Sequence, residues 1–239
     1  MARFRRYLTF LFAGAAILIS ALFARDAVAA APTFQIVALD DFEARAQLHY
    51  LRSPTDAVPL SAPVLRRSAS LEVRSADAPV ILALKQADPA TGATVYRPVA
   101  QVAWPAGAPD RALVFVATDA TGAIRTTAID DSLKVFPVGT LRVVNFSGEA
   151  LLGRFGGFEG DIPPGARAAV PYPEIDAPAG TTGRFRVGIA RRDDTGNAKL
   201  VFNGWTEAWP NGRTLLLIRP EGTRLQVRTL VETLPKPVE

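Results

Sequence analysis

The sequence contains no cysteine, and it has one histidine and one methionine among its 239 residues. Without cysteine the chain forms no disulfide, no thiolate metal site and no cysteine nucleophile, and it lacks the lipid-modified cysteine of bacterial lipoproteins. With His49 as the single imidazole, a zinc site would need carboxylates for its other ligands, which is unusual. We therefore predict no metal, no cofactor and a fold that is held by its core alone.

Helical periodicity is also missing, because no convincing helical pattern exceeds two turns. Residues 184–189 and 224–231 instead alternate apolar and polar side chains, as half-buried strands do. Residues 113–117 and 215–218 are continuous apolar runs, which are typical of strands covered on both faces. Because 19 prolines and 18 glycines punctuate these segments, the sequence predicts an all-β fold.

The amino terminus has the three parts of a secretory signal. Three arginines at positions 3, 5 and 6 precede an apolar run at residues 7–24, and small residues at 27–31 suit signal peptidase. We predict a signal peptide over residues 1–31 and a periplasmic or secreted protein with no membrane span after cleavage. The alternative is a retained anchor, for which a run of about 18 residues, nearly all of them apolar, is at the short limit.

Charge gives no support to a nucleic-acid partner. The chain has 27 basic and 23 acidic residues, but residues 1–31 hold four of the arginines and one of the aspartates. The remainder has 23 basic and 22 acidic residues, a net charge of +1. Neither nucleic acid nor an anionic membrane surface is therefore an expected partner.

Three segments between strands share an aspartate followed by a glycine, at residues 88–92, 119–122 and 193–197. The aspartate side chain can cap such a turn, and the glycine supplies the positive φ that closes a hairpin. Asp193, Asp194 and Asn197 could instead ligate calcium, although a calcium loop usually needs more carboxylates at fixed spacing. The turn interpretation is the one we adopt.

An internal repeat organises the chain. Ala-Trp-Pro-Ala-Gly at residues 103–107 recurs as Ala-Trp-Pro-Asn-Gly at 208–212, and each copy precedes an arginine, an apolar strand and a final strand. Residues 33–37 similarly match residues 140–144. We predict two tandem β-sandwich domains of immunoglobulin-like size, at 32–136 and 137–239, after the signal peptide.

Three segments of the second half stand out: residues 142–147 (Arg-Val-Val-Asn-Phe-Ser), residues 162–165 (Ile-Pro-Pro-Gly) and the segment from Trp209 to Leu230. In these segments the second half resembles uncharacterised secreted bacterial β-sandwich domains of unknown function. The resemblance implies a tandem β-sandwich fold and no particular activity.

No group of residues predicts a catalytic site. His49 lies in a strand pattern, and we interpret it as a surface or edge-strand imidazole. The pairs Asp40-Asp41 and Asp130-Asp131 stand at strand ends, where adjacent side chains point to opposite faces and are poorly placed to act together. We interpret both pairs as solvated turn ends.

Aromatic residues supply the candidate binding positions. Trp104 and Trp209 are repeat equivalents, so we expect both to be buried at matching places, whereas Trp205 is the better exposed candidate. Phe155 and Phe158 stand in a glycine-rich segment without the lysine of a phosphate loop, and we expect both to be partly exposed. The long loop at residues 171–183 is a further candidate binding segment.

These observations predict an exported, non-enzymatic binding or scaffolding protein of the bacterial cell envelope. Its partner would be an envelope protein or a polysaccharide. The alternatives are a carbohydrate-binding module, which needs two exposed aromatic rings in one plane, and a hydrolase that uses carboxylates alone.

Overall fold

The structure is a computed structural model, and it describes residues 31–74, 78–155, 157–174 and 181–234. Among these residues the only helical element is a short 3₁₀ turn at Glu43–Gln47, and the rest of the regular structure is β-strand. The prediction of an all-β fold is confirmed. The predicted signal peptide at 1–31 lies almost entirely outside the described residues.

Seventeen strands fill the described residues, eight of them in the first half of the repeat and nine in the second. Those of the first half are β1 (Thr33–Ala38), β2 (Leu48–Ser53), β3 (Asp56–Pro59), β4 (Leu71–Glu72), β5 (Val80–Ala87), β6 (Thr94–Val102), β7 (Arg111–Thr118) and β8 (Ile124–Asp130). Those of the second half are β9 (Thr140–Asn145), β10 (Leu151–Phe155), β11 (Phe158–Ile162), β12 (Gly165–Ala166), β13 (Val170–Pro171), β14 (Gly183–Arg192), β15 (Ala198–Ala208), β16 (Gly212–Glu221) and β17 (Arg224–Thr233).

The strands form four sheets, and the two halves repeat the same strand order. The first inner sheet has the order β4-β1-β7-β8, and the second inner sheet has the order β12-β9-β16-β17, with β13 also paired to β9. Each inner sheet contains one parallel pair at its centre: β1 runs parallel to β7, and β9 runs parallel to β16. The first outer sheet, β3-β2-β5-β6, and the second outer sheet, β11-β10-β14-β15, are antiparallel throughout.

Three apolar cores fill the spaces between successive sheets. The first lies between the first outer and first inner sheets, the second lies between the second inner and second outer sheets, and the third lies between the two inner sheets. Val114 of β7 faces the first core and its neighbour Phe115 faces the third, while Leu216 and Leu217 of β16 divide in the same way between the second and third cores. The prediction that these two strands are covered on both faces is confirmed.

The segment between the halves is anchored by packing. Phe136 is fully buried in the third core, and the guanidinium of Arg213 lies 4.6 Å from its ring centre. Gly139, whose φ of +75° favours glycine, donates its backbone N–H to Gly212 and thereby aligns β9 with β16. The division of the chain into two domains at residue 136 stays a prediction.

No helix of the described residues has the length and apolar character that crossing a bilayer requires.

Candidate functional site

Trp205 stands on the outward face of the second outer sheet. It lies on β15, directly opposite Arg186 of β14, and 64% of its surface is exposed. The guanidinium of Arg186 lies 5.6 Å from the centre of its ring, in the range of a cation–π contact. The expectation that Trp205 is the exposed member of the three tryptophans agrees with this placement.

An open groove of about 1050 Å³ follows the same face. Its lining includes a row of paired residues in which Arg154 of β10, Gly188 of β14 and Asn203 of β15 lie side by side. Because Gly188 has no side chain, the row is open in the middle and has polar side chains at both sides. A Cβ atom at Gly188 would lie 3.8 Å from the backbone oxygen of Arg154, which is an ordinary van der Waals contact, so a side chain fits at this position.

The next row of the groove is apolar. Leu152, Ala190 and Leu200 pair across β10, β14 and β15, and Leu200 is 60% exposed. An exposed leucine and an exposed tryptophan on one strand, with arginines beside them, have the composition of protein interaction surfaces, in which Trp and Arg are enriched.

Charged side chains surround the groove in loose pairs. The nitrogen of Arg154 lies 3.6 Å from Glu159, and that of Arg192 lies 3.5 Å from Asp161. All four side chains are more than half exposed, so water screens both pairs and each contributes little to stability. A ligand can therefore exchange partners with these groups at low energetic cost.

The corresponding face of the first outer sheet is filled. Its middle row consists of Pro59, His49, Ala83 and Pro98, and the ring of His49 packs 4.9 Å from the ring of Tyr96. His49 and Ala83 are both buried. The repeat therefore carries a groove beside Gly188 on one outer face and the buried His49 and Ala83 in the middle of the other.

The interpretation of His49 as a surface or edge-strand residue is wrong. Strand β2 lies inside its sheet, between β3 and β5, and the imidazole is 8% exposed. Its Nδ1 lies 2.9 Å from the carbonyl oxygen of Gln47, to which it donates when that nitrogen is protonated. These contacts give His49 a packing role.

Phe155 and Phe158 lie at the hairpin between β10 and β11. Phe155 is only 2% exposed, and its side chain belongs to the second core, so the expectation that both rings are partly exposed is wrong for this residue. Phe158 is half-buried, with its ring 4.7 Å from that of Phe155 and the guanidinium of Arg167 3.6 Å above its centre. The contacts of Phe158 are thus made within the protein.

Trp104 and Trp209 are half-buried, less buried than the sequence predicts. The indole Nε1 of Trp104 donates to the carbonyl of Pro109 at 3.0 Å, and its ring packs against the first core. Trp209 covers Gly212, where an added Cβ would lie 2.7 Å from the tryptophan's own Cβ. Trp104 therefore packs at the edge of the first core, whereas the contact of Trp209 is with the start of β16.

The two aspartate pairs behave differently from each other. Asp41 is exposed and pairs with Arg45, while Asp40 accepts hydrogen bonds from the backbone and hydroxyl of Thr118. Asp131, in contrast, has no exposed surface and accepts from Arg67 and Arg213. The interpretation of Asp131 as a solvated turn end is wrong, because its partners come from distant parts of the sequence.

The aspartate turns have the predicted chemistry. Oδ1 of Asp119 accepts from the backbone of Thr121 and Ala123, and Oδ1 of Asp193 accepts from the backbone of Thr195 and Asn197. Hydrogen bonds from the neighbouring threonine hydroxyls hold the pKa of both carboxyl groups below its ordinary value. Gly122 and Gly196 have φ values of +80° and +84°, as the turn requires.

The loop at residues 171–183 is described at its two ends alone, and residues 175–180 lie outside the described residues. At the first end, the hydroxyl of Tyr172 lies 2.7 Å from the hydroxyl of Thr214. Burial raises the pKa of Tyr172, so this residue is neutral at physiological pH. The loop therefore begins from a fixed point on the second inner sheet.

No protein-family model matches the chain, and no curated protein matches it. Within the four described stretches, no group of three or more histidine, aspartate or glutamate side chains is arranged to hold a metal ion.

Proposed function

We propose that this protein is an exported, non-enzymatic binding protein of the bacterial cell envelope, and that its binding surface is the groove on the second outer sheet. The observation that carries the proposal is the open row at Gly188, with Trp205 and Leu200 exposed beside it. The three-part signal at the amino terminus supports a periplasmic or secreted location.

A protein partner fits this surface better than a polysaccharide. Sugar-binding platforms stack rings on coplanar aromatic side chains, and among the large apolar residues exposed in the described part of the chain, Trp205 is the one aromatic. Leu200 and the apolar row beside it provide a surface for side chains of a partner, while Arg154 and Asn203 provide hydrogen-bond donors.

A carboxylate hydrolase is not supported by the contacts of the aspartate pairs. Both oxygens of Asp131 accept from arginines in a buried position, and Oδ2 of Asp40 accepts from Thr118. A general acid or base must instead contact the reacting atoms.

The proposal is tested in living cells by replacing Leu200 with a photo-activated cross-linking residue. We expect a specific protein adduct at this position and none when the same residue is placed at Gln101, an exposed position of the first outer sheet. Gly188→Leu should abolish the adduct, because its side chain fills the floor of the groove while its Cβ fits.

A second arm separates the possible outcomes. Trp205→Ala should weaken partner binding at least tenfold while the melting temperature stays unchanged, since the ring is exposed. Retention on an immobilised envelope polysaccharide that is lost in Trp205→Ala would favour the carbohydrate-binding alternative. Equal adducts at positions 200 and 101, unaffected by Gly188→Leu, would overturn the proposal.

A further inference from the structure

The third core joins structurally equivalent residues of the two halves. Strand register defines the equivalence: Leu113 pairs with Gln35 on one side and Ile129 on the other, and Leu215 pairs with Arg142 and Leu230 in the same manner. The equivalent residues Val37 and Val144, Leu113 and Leu215, Phe115 and Leu217, and Ile129 and Leu230 are all buried in this one core. Each half thus presents the same patch to the other.

Ion pairs at the edge of this core have the same reciprocity. Arg111 of β7 is equivalent to Arg213 of β16. Asp131, which directly follows β8, stands opposite Arg111, and Glu232 of β17 stands opposite Arg213, so these two carboxylates are equivalent as well. Within each half, Arg111 Nε lies 3.1 Å from Asp131 Oδ2, and Arg213 Nη2 lies 2.7 Å from Glu232 Oε2.

The same groups also pair across the halves. Arg213 Nη2 lies 2.7 Å from Asp131 Oδ2, and the guanidinium of Arg111 makes the corresponding contact with Glu232 Oε1. Each arginine therefore bridges its own carboxylate and that of the other half. This exchange of equivalent contacts is the pattern of a two-fold symmetric dimer interface, in which residue i contacts j and j contacts i.

Further hydrogen bonds fix the geometry of this arginine–carboxylate cluster. Arg67 donates to both carboxylate oxygens of Asp131, with Nη1 at 2.7 Å from Oδ2 and Nη2 at 3.0 Å from Oδ1. Nη1 of Arg213 donates to the carbonyl oxygens of Asp131 and Phe136, at 2.9 and 2.8 Å. Because Arg213 has no exposed surface, separating the halves would break its buried bonds to Asp131 and Phe136 and would leave it with Glu232 of its own half.

Two members of the cluster, Glu232 and Arg213, are charged at neutral pH. Although burial acts to raise the pKa of Glu232, the guanidiniums of Arg67, Arg111 and Arg213 hold it below its ordinary value. Burial lowers the pKa of Arg213, but an arginine begins so far above neutrality that it keeps its proton.

We infer that the two halves form a single rigid body, joined as a two-fold dimer is joined, and that they unfold together. The buried third core and the arginine–carboxylate cluster together hold the halves in one orientation. The two outer sheets are consequently held on opposite sides of the paired inner sheets, so that the groove and the filled face are presented at a constant separation.

The test uses one tryptophan in each half as a reporter. A variant with Trp205→Phe and Trp209→Phe keeps Trp104 in the first half, and a variant with Trp104→Phe and Trp205→Phe keeps Trp209 in the second. Val114→Ala, which opens a cavity in the first core alone, is then added to each. In urea unfolding followed by fluorescence, we expect it to lower the midpoints of both reporters by the same amount.

A shift of the Trp104 midpoint while the Trp209 midpoint stays constant would overturn the inference. The role of the cluster is tested by Asp131→Asn combined with Glu232→Gln, which should split the single transition into two. The matched control, Glu159→Gln with Asp161→Asn, removes two exposed carboxylates from the second outer sheet and should keep one transition.

Hydrogen exchange of the parent protein tests the same inference without any substitution, so its result does not depend on whether a variant folds. We expect the amides of β7 and β16 to exchange at one common slow rate, since both strands line the third core. Exchange that is complete in one half while the other half remains protected would contradict a single rigid body.

Discussion

At the scale of single residues, neighbouring side chains in this protein have opposite environments. Asp130 is half-exposed and caps Ser132 through its Oδ1, whereas Asp131 is fully buried among arginines. Adjacent side chains at a strand end point to opposite sides, so a shift of one position in the sequence moves a side chain from solvent to the interface between the halves. Local sequence predicts the strand end, but the partners of Asp131 lie 64 and 82 residues away.

Asp131→Ala should strongly destabilise the protein. The substitution leaves Arg67 and Arg213 without their shared carboxylate in a buried place, which costs about 3–5 kcal/mol. Urea unfolding of a chain that consists of residues 32–239 measures the loss. Asp41→Ala is the control, since it removes one exposed ion pair with Arg45 and should change stability by less than about 0.5 kcal/mol. Similar losses in both variants would contradict the network.

Asp119 should make the protein more stable above pH 4 than below it. Hydrogen bonds from Thr121 and Arg125 hold its pKa far under the ordinary value of 3.8. A carboxyl whose folded pKa is depressed contributes stability that is fully present above the unfolded pKa and is lost as the pH falls through the folded pKa. The melting temperature of the parent should therefore exceed that of Asp119→Asn at neutral pH, and the difference should shrink towards pH 2.

Asp41→Asn provides the comparison for this titration, because its single partner is Arg45 in an exposed pair. A difference between the parent and Asp119→Asn that stays constant from pH 7 to pH 2 would show that the turn does not depend on the charge of this carboxylate.

At the scale of strands, the sequence predicts strand positions best where the pattern of apolar residues follows directly from burial on one face or on both. The alternation in residues 184–189 and 224–231 identifies β14 and β17, and the apolar runs identify β7 and β16 together with their burial on both faces. The groove could not be predicted in this way. It depends on the register that places Gly188 between Arg154 and Asn203, and register arises from pairing across distant strands.

Gly153→Ala should destabilise the hairpin of β10 and β11. Gly153 faces the second core, where a Cβ atom would lie 2.4 Å from Ile162 Cδ1 and 2.8 Å from Phe155 Cε1. Such overpacking costs about 1–3 kcal/mol, because the neighbours must leave their preferred positions. Thermal or urea unfolding measures the change. Gly157→Ala in the adjoining turn, where the added Cβ meets nothing within 4 Å, should be nearly neutral.

At the scale of the whole molecule, the repeat predicts that the two halves share one architecture, and the equal strand orders of the two halves agree with it. The sequence also contains the signal for a third core, since a strand covered on both faces needs a layer on each side. What joins the inner sheets could not be read from it, because Arg111, Arg213 and Glu232 look like ordinary strand residues until the two halves are brought together. The proposed binding function rests on a difference between the halves: His49 packs against Tyr96 on one outer face, and Gly188 leaves the middle of the other face without a side chain.

Chelation should leave the stability of a chain that consists of residues 32–239 unchanged. The strongest calcium candidate is the turn at Asp193, but its Oδ1 already accepts from two backbone amides and from the hydroxyl of Thr195 at 2.6 Å. These hydrogen bonds do locally what a cation would do, because they satisfy the carboxylate and fix the turn. The melting temperature should be the same with EDTA, without it and with millimolar calcium. A fall of several degrees on adding EDTA, reversed by calcium and absent in Asp193→Asn, would show instead that the turn is a calcium loop.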